Sequence, residues 1–240
     1  PSTAGKNIPN SIIQFWDAKQ TPHDLDLFMH SAKLINPDFE HHLFNDESAE
    51  AFIQKECAVS VLRAYRTANH PAMRADIFRL AHLSMKGGVY IDADDRCTHA
   101  LEGLLESGYE LIVIQEGDGS IGNNFLATTP NHPWIAHALD TVTSFVNQRQ
   151  GDNIWLVSGP GAISGSFVRH YLTQFSKSKM PAGVKVFPQF EAERYISMHL
   201  PTYYKKEGGH WASSRAQNGS IYKMPFGVRN GKSEKNAKNG

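Results

Sequence analysis

Short apolar runs alternate with amphipathic segments along most of the chain, and this alternation predicts strands that follow helices. The runs at 12–16, 89–91 and 111–115 have the length and composition of buried strands. A further run at 154–157 (IWLV) is strand-like and precedes a Ser-Gly-Pro-Gly turn. Strands with continuous apolar runs are typical of a parallel sheet that is covered on both faces. The pattern therefore predicts an α/β fold with a mainly parallel central sheet.

Helical spacing is clearest in the segment that His70 and Pro71 open, where Met73, Ile77 and Leu80 recur on one face. The two glycines at 87 and 88 suit a left-handed helix cap and a turn into the strand at 89–91. Further helices are predicted at 22–33, 47–57, 59–69 and 133–146, and a turn with a second strand from residue 36. We expect one domain over residues 1–228 with an irregular C-terminal cap, and a disordered tail at 229–240.

The composition excludes several classes of function. The 24 Lys and Arg residues balance 24 Asp and Glu residues, so no net charge draws the protein toward nucleic acid. No apolar run reaches the length of a transmembrane helix, and the first residues lack a signal peptide's basic and apolar regions. Two cysteines give no disulfide framework, so we expect a cytoplasmic location, with membrane association or secretion as alternatives.

An acidic cluster follows the strand at 89–91, in the sequence MKGGVYIDADD. Alternation along a strand predicts that Asp92 and Asp94 point one way and Asp95 the other. Ligands bind outside the carboxyl ends of parallel strands, and paired carboxylates suit Mg²⁺ or Mn²⁺. The alternatives are a solvated acidic turn and a phosphatase of the haloacid-dehalogenase type, whose motif has Thr or Val where Arg96 stands here.

A charged pair on the preceding helix bears on how the acidic cluster is interpreted. Asp76 and Arg79 are three positions apart, on one helical face, and the helix ends where the acidic strand begins. The pair is either an ordinary surface ion pair or part of the rim of the same cleft.

With the pair included, residues 74–95 (RADIFRLAHLSMKGGVYIDADD) resemble the DxD-containing sugar-binding signature of glycosyltransferase family 32. That family is related to the catalytic domains of the clostridial glucosylating toxins. Further blocks at 8–16, 36–46, 123–134 and 158–164 are similar to the family's other blocks, with a fainter likeness in GGHW at 208–211. One departure is Ile13, which stands where a His is usual.

The resemblance implies a GT-A fold, which is a Rossmann-like α/β/α sandwich, and the transfer of a sugar from a nucleotide diphosphate with retention. It implies a Mn²⁺ or Mg²⁺ cofactor. Asp94 would bind the metal directly, and Asp92 would contact the metal or the ribose. Asp76 and Arg79 would hold the donor sugar and support the diphosphate, and these four residues form the predicted catalytic set.

Other residues receive nucleotide-sugar roles through the same resemblance. Trp16 would stack on the base, or be a core aromatic. Tyr90 would line the nucleotide site, unless the strand turns it into the core. Asn123 and Asn124 would bind the sugar or the acceptor, or else form a turn.

The third metal ligand is assigned to the C-terminal block. His210 replaces the Ser that the family usually has there, so it would complete the metal shell or cap a loop. Trp211 beside it would close over the nucleotide. His199 is a further candidate for the same ligand position.

These expectations combine into a metal-dependent retaining glycosyltransferase with a nucleotide-sugar donor, UDP-linked by expectation, that transfers a hexosyl or N-acetylhexosaminyl group. The expected acceptor is a glycan such as bacterial surface polysaccharide or lipopolysaccharide. One alternative is a toxin or effector domain that glycosylates a host protein. Another is a non-catalytic module that binds nucleotide sugars.

Overall fold

The computed structural model describes residues 8–105, 108–175, 181–203, 205 and 219–223. At its centre lies a six-stranded sheet with the strand order β2-β1-β3-β6-β5-β7, and β4 pairs with β8 in a separate two-stranded ribbon. The strands are β1 (Ser11–Phe15), β2 (Glu40–Phe44), β3 (Gly88–Ile91), β4 (Arg96–Cys97), β5 (Leu111–Gln115), β6 (Ile121–Thr128), β7 (Val184–Pro188) and β8 (Ile196–Ser197).

Five strands of the central sheet run in one direction, and β6 alone runs against them. β1 is parallel to β2 and β3, β5 is parallel to β7, and β6 is antiparallel to both β3 and β5. The predicted mainly parallel sheet is therefore confirmed. The carboxyl ends of β1, β3 and β5 and the amino end of β6 consequently meet at one edge of the sheet.

Helices pack on both faces of the sheet, as predicted. One apolar core joins the sheet to the helices between residues 46 and 86 and between 133 and 175, while a second core on the opposite face includes Ala32, Leu101 and Ala192. The helices are α1 (His23–Ile35), α2 (Asp46–Glu56), α3 (Val59–Thr67), α4 (Pro71–Lys86), α5 (Pro133–Asn147), α6 (Ile154–Val157), α7 (Pro160–Phe175) and α8 (Gln189–Ala192).

The strand predicted at 154–157 is wrong, because these residues form the single helical turn α6. The Asn153 side chain caps this turn by accepting a hydrogen bond from the Trp155 N–H at 3.0 Å. Ile154 and Val157, three positions apart, are both buried, whereas Leu156 is exposed. A short apolar run cannot be assigned by periodicity alone, and here the cap decides the outcome. The Ser-Gly-Pro-Gly segment then leads directly into α7, with Pro160 as its first residue.

Two glycines connect α4 to β3 where any other residue would be strained. Gly87 has φ +67° and Gly88 has φ +105°. A Cβ atom on Gly87 would lie 2.7 Å from the carbonyl oxygen of Thr128, and one on Gly88 would lie 2.7 Å from Ile13 Cδ1. Gly87 has ψ −160°, so it bends the chain toward extended backbone instead of forming the predicted left-handed cap. The turn is tight enough to place the end of α4 directly beside the start of β3.

The sequence predicted neither a disulfide framework nor a transmembrane helix. Cys57 and Cys97 both carry free thiols. Over the ranges that the structure describes, no helix is long and apolar enough to cross a membrane.

A buried histidine in the α4 core makes stability depend on pH. His82 stacks on Phe52 with ring centroids 4.9 Å apart, and its Nδ1 has no hydrogen-bond partner among the described residues. Burial lowers the pKa of His82 to about 4, with the charges of His42 and Lys86 adding to the effect. The pKa of His82 is lower in the folded protein than in the unfolded chain, where it is near 6.5. The contribution of neutral His82 to the free energy of unfolding is therefore complete above about pH 6.5 and is lost as the pH falls toward 4.

We therefore predict that His82→Leu makes the protein less sensitive to mild acid. Between pH 7 and pH 5, the free energy of unfolding of the wild type should fall relative to the variant by about 2 kcal/mol, from 1.36 kcal/mol per pKa unit. Urea unfolding of both proteins at the two pH values measures this difference. If the difference in free energy of unfolding between the two proteins is the same at pH 7 and pH 5, His82 is not buried in its neutral form.

Candidate active site

A cavity of about 310 Å³ opens at the sheet edge where β3 and β5 end and β6 begins. Helix α4 and the segment from α6 to the start of α7 form one side, and residues 199 and 205 approach from the other. The residues that line it are Ala72, Asp76, Arg79, Asp92, Asp94, Asp95, Glu116, Asn123, Asn124, Ile154, Trp155, Gly159, Pro160, His199 and Lys205. It is the place in the fold where α/β proteins of this kind bind ligands.

The three acids after β3 all face this cavity. Strand β3 ends at Ile91, and the next residues form a turn that is closed by a 3.1 Å hydrogen bond from the Asp95 N–H to the Asp92 carbonyl. Side-chain alternation does not extend through such a turn. Asp95 is almost fully buried at the cavity wall, so it belongs to the same site as Asp92 and Asp94.

The Asp76–Arg79 pair is buried and lies in the same cavity. Arg79 Nη2 is 3.2 Å from Asp76 Oδ1 and 3.1 Å from Asp92 Oδ1, so one guanidinium joins α4 to the DxD turn. Arg79 Nη1 donates to the Asn123 carbonyl and Nε donates to the Ala75 carbonyl at 3.3 Å. Only about one N–H of the five that arginine carries is left for a ligand. The interpretation as a surface ion pair is excluded.

Asp76 is held from two further directions. Asn123 Nδ2 donates to Asp76 Oδ1 at 2.7 Å, and Ser158 Oγ donates to Asp76 Oδ2 at 2.7 Å. Both partners are buried, so this carboxylate has a fixed orientation. Burial raises the pKa of Asp76, although Arg79 and the two hydrogen bonds act in the opposite direction.

Tyr90 supports the site from within the core and does not line the cavity. Its side chain is fully buried, and its hydroxyl donates to Asp92 Oδ1 at 3.1 Å. The Arg79 guanidinium carbon lies 4.4 Å from the centre of the Tyr90 ring. Of the two predicted positions for Tyr90, the structure shows the core position, with indirect contact through Asp92.

The two asparagines are in β6, not in a turn, and they serve opposite faces of the sheet. Adjacent strand residues point in opposite directions, so Asn123 reaches Asp76 while Asn124 Nδ2 donates to Asp95 Oδ2 at 2.8 Å. The backbone N–H of His199 donates to the other Asp95 oxygen at 3.3 Å. The cavity therefore has a first wall built around Asp76 and a second wall built around Asp95, with Asp92 between them.

Acid predominates in this cavity. Among the described residues that line it, five carboxylates accompany two permanent cations, Arg79 and Lys205. Burial raises the pKa of Asp92 to about 6, with opposition from Arg79 and additional repulsion from Asp94 and Asp76. Burial and then the neighbouring charges of Asp94 and Asp92 raise the pKa of Asp95 well above its usual value. A bound cation would relieve this repulsion.

Lys205 occupies the position of a counter-ion to Asp94. Its Nζ is 2.5 Å from Asp94 Oδ2 and donates to the Leu200 carbonyl at 3.1 Å. Both side chains of the ion pair are mostly buried. The second acid of the DxD pair, Asp94, is thus paired with a cation of the protein itself, the Lys205 ammonium group.

The donor set suits a hard divalent ion in chemistry, but the described residues alone do not complete a metal site. Carboxylate oxygens are ligands that Mg²⁺ and Mn²⁺ prefer, and Asp94 and Asp92 supply them. No group of three or more His, Cys, Asp or Glu side chains in the described ranges is arranged to hold a metal ion. His210 and Trp211, to which the C-terminal roles were assigned, lie outside the described residues.

Trp16 lies just beyond the end of β1, next to the site but not among the residues that line the cavity. Its indole N–H donates to the Gln20 carbonyl at 3.2 Å, and the side chain is partly buried. In the register of the sheet, Ile13 lies opposite Tyr90, which puts Trp16 close to the level of the DxD turn. Its predicted contact with a base stays a prediction.

Among the polar and charged residues of the cavity region, the sequence pattern missed Glu116, Ser158 and Lys205. Glu116 follows directly on β5, so the rule that ligands bind at the carboxyl ends of strands would have indicated it. Ser158 opens the Ser-Gly-Pro-Gly block. Lys205 has no local signal, because it reaches the site only through the tertiary fold.

Comparison with known proteins agrees with this geometry. Residues 22–111 match the family model described as "Glycosyltransferase sugar-binding region containing DXD motif". The match includes Asp76, Arg79, Asp92 and Asp94, which the structure brings into one cavity. The match covers 22–111 of the 240 residues, and it bears out the predicted resemblance to this family.

Relatives of this sugar-binding region are found among fungal enzymes. The chain is 25% identical over 208 residues to a mannosyl phosphorylinositol ceramide synthase of Saccharomyces cerevisiae, with 85% of this chain and 52% of the relative covered. It is 25% identical over 218 residues to inositol phosphoceramide mannosyltransferase 3 of Schizosaccharomyces pombe, covering 87% of this chain and 57% of the relative. The chain spans about half the length of these curated relatives.

Solved glycosyltransferase domains share the fold. The PaToxG glycosyltransferase superimposes with a TM-score of 0.60 at 19% identity, over 90% of this chain and 88% of that one. The UDP-bound glycosyltransferase domain of the YGT toxin gives 0.52 at 10% identity, over 84% and 82%. These likenesses confirm the predicted GT-A fold.

Proposed function

We propose that the protein transfers a sugar from a nucleotide-diphosphate donor and uses a divalent ion, Mn²⁺ or Mg²⁺, held at Asp94. The observation that carries this proposal is the convergence of Asp92 and Asp94 with the buried Asp76–Arg79 pair in one acid-rich cavity. All four lie in the matched DXD region. A non-catalytic module is the weaker candidate, because a protein that had lost the chemistry would not need to keep the acids that hold the metal.

In this proposal each charged residue has a separate task. The divalent ion, when bound, stabilises the charge that develops on the departing diphosphate. Asp76, which Asn123, Ser158 and Arg79 fix in place, accepts hydrogen bonds from donor-sugar hydroxyls. Arg79 is mainly a positioning residue, since most of its N–H donors already bind protein oxygens. Retention of configuration is part of the proposal.

The donor is proposed to be a UDP-sugar or another nucleoside-diphosphate hexose. A structural neighbour is a UDP-bound domain, and the relatives are named for mannose transfer. Mannose is therefore the first sugar to test, although glucose and N-acetylhexosamines fit the same proposal. Trp16 and Trp211 are proposed to contact the nucleotide, and His210 to complete the metal shell.

The acceptor is proposed to be a glycan, such as a bacterial surface polysaccharide or lipopolysaccharide. The relatives' names mention inositol phosphoceramide, which adds a phosphoinositol headgroup to the acceptors worth testing. A protein acceptor, as for a toxin or effector domain, is the second candidate, and one structural neighbour is a toxin's glycosyltransferase domain.

The proposed function predicts that the protein alone slowly hydrolyses its donor in a metal-dependent way. GDP-mannose, UDP-glucose and UDP-N-acetylglucosamine are incubated with the protein in Mn²⁺, in Mg²⁺ and in EDTA, and the released nucleoside diphosphate is quantified. We expect release from at least one donor with metal, and a loss of at least about 100-fold in EDTA. If none of these donors is cleaved faster with metal than in EDTA, the proposal is wrong.

A further inference from the structure

The second wall of the cavity carries a hydrogen-bond acceptor without a donor. Asn124 is 94% buried, and its Nδ2 is held by Asp95. Its Oδ1 has no hydrogen-bond partner in the part of the chain that the structure describes. The residue lines the cavity. A buried carbonyl oxygen left unpaired costs about 1–3 kcal/mol, so a ligand that donates a hydrogen bond there would recover that free energy.

A second acceptor lies beside it. A Cβ atom on Gly122 would be 2.8 Å from Asn124 Oδ1 and also 2.8 Å from Glu116 Oε1. The two oxygens therefore lie within two hydrogen-bond lengths of each other, and both lie close to Gly122. Any larger residue at position 122 would push both side-chain ends away, so this pair of acceptors depends on the glycine.

Among the described residues that line the cavity, the two permanent cations are already engaged elsewhere. Lys205 binds Asp94, and Arg79 binds Asp76 and Asp92. Burial raises the pKa of Glu116, and His199 acts against this rise, which places the histidine near the same carboxyl group. A ligand that presents neighbouring hydroxyl donors matches two close acceptors better than an anion does.

We propose that Glu116 and Asn124 form the subsite that binds neighbouring hydroxyls of a polyol acceptor, such as a sugar or a cyclitol. This inference rests on the proposed function. It assigns the second wall to the acceptor because the first wall, on the other face of the sheet, is assigned to the donor sugar. The DxD turn lies between the two walls, where the diphosphate would be.

The chemistry is balanced without a protein base. The acceptor hydroxyl oxygen forms the new bond to the anomeric carbon, while the bond from that carbon to the diphosphate oxygen breaks and leaves its electron pair on the diphosphate. The hydroxyl proton passes to the departing diphosphate oxygen. Glu116 and Asn124 orient the acceptor by accepting hydrogen bonds from its neighbouring hydroxyls.

The test measures how the cleaved sugar is divided between water and a polyol. Radiolabelled donor is incubated with Mn²⁺ and either myo-inositol or methyl α-D-mannoside, and the share of sugar attached to the polyol is determined by chromatography. We expect the wild type to divert sugar to at least one of these polyols. In Gly122→Ala the share per unit of donor cleaved should fall about tenfold, as expected for the loss of a hydrogen-bonded acceptor pair.

A matched control lies on the same hairpin. A Cβ atom on Gly117 would meet only Gln189 Oε1, at 3.8 Å, so Gly117→Ala should divide the sugar like the wild type. Glu116→Gln, which keeps an acceptor oxygen but removes the charge, should give an intermediate loss. The share is a ratio, so it does not depend on the amount of active protein.

Three results would overturn the inference. The first is that neither polyol receives sugar although the donor is cleaved, which would leave the proposed function intact. The second is that Gly122→Ala diverts sugar as well as the wild type does. The third is that Gly122→Ala weakens Mn²⁺ binding, which would make the acceptor pair a metal site.

If no donor is cleaved, the proposed function fails instead. Saturation-transfer NMR of the two polyols on wild type and Gly122→Ala then decides whether the subsite exists, and equal or absent signals would refute it.

Discussion

Asp94→Asn is expected to lower metal-dependent donor cleavage by about 10³-fold, a loss of about 4 kcal/mol of transition-state stabilisation. The substitution keeps the size of the side chain and removes the charge that would hold a divalent ion. Asp94 already binds a cation, Lys205, at 2.5 Å, which shows that this oxygen is directed toward positive charge. The assay is the release of nucleoside diphosphate in Mn²⁺, with thermal unfolding as the check on folding.

Asp140→Asn is the matched control, because Asp140 is an exposed carboxylate on α5, away from the cavity. It should leave both cleavage and stability unchanged. Asp94→Asn should remain folded, because asparagine has nearly the same size and shape as aspartate. Wild-type turnover in Asp94→Asn would place the metal elsewhere in the protein.

Arg79→Met is expected to reduce the free energy of unfolding by about 3–5 kcal/mol at neutral pH. The side chain is almost fully buried and lies between Asp76 and Asp92, so its removal leaves two carboxylates close together without a counter-charge. Their pKa values, already raised by burial, should rise further. A carboxyl group whose pKa is higher in the folded than in the unfolded protein lowers the free energy of unfolding at every pH above its unfolded pKa. This destabilisation becomes smaller as the pH falls and the group is protonated in the folded protein.

The loss should consequently be larger at pH 8 than at pH 5, which urea unfolding at both values measures. Arg66→Met provides the matched control: Arg66 also pairs with a carboxylate, Glu50, at 2.8 Å, but that pair is exposed. Its removal should cost less than about 1 kcal/mol. Similar losses in the two variants would mean that the Asp76–Arg79–Asp92 cluster is solvated.

The first half of the site could be predicted because it is contiguous in sequence. Asp76, Arg79, Asp92 and Asp94 lie within 19 consecutive positions, on one helix and the turn that follows the next strand. The glycines between those elements fix the approach of α4 to β3, so local pattern was sufficient to bring these residues together. Apolar runs likewise revealed β1, β3 and β5.

The other half depends on tertiary structure that no local pattern encodes. Strand β6 was missed because Asn123 and Asn124 interrupt its apolar run, and their burial is tolerable only because Asp76 and Asp95 accept their hydrogen bonds. Asp95 received no role from the sequence, because its contacts with Asn124 and the His199 N–H come from distant segments. Ser158 and Lys205 come from distant segments, so the sheet order had to be known first.

The cavity is proposed to bind a divalent ion together with a nucleoside diphosphate. The most direct measurement is a Mn²⁺ titration followed by electron paramagnetic resonance, with and without UDP or GDP, on wild type and Asp94→Asn. We predict that a nucleoside diphosphate tightens Mn²⁺ binding to the wild type, and that Asp94→Asn binds the pair at least about tenfold more weakly. Equal binding by the two proteins, or no effect of either nucleotide, would contradict the account.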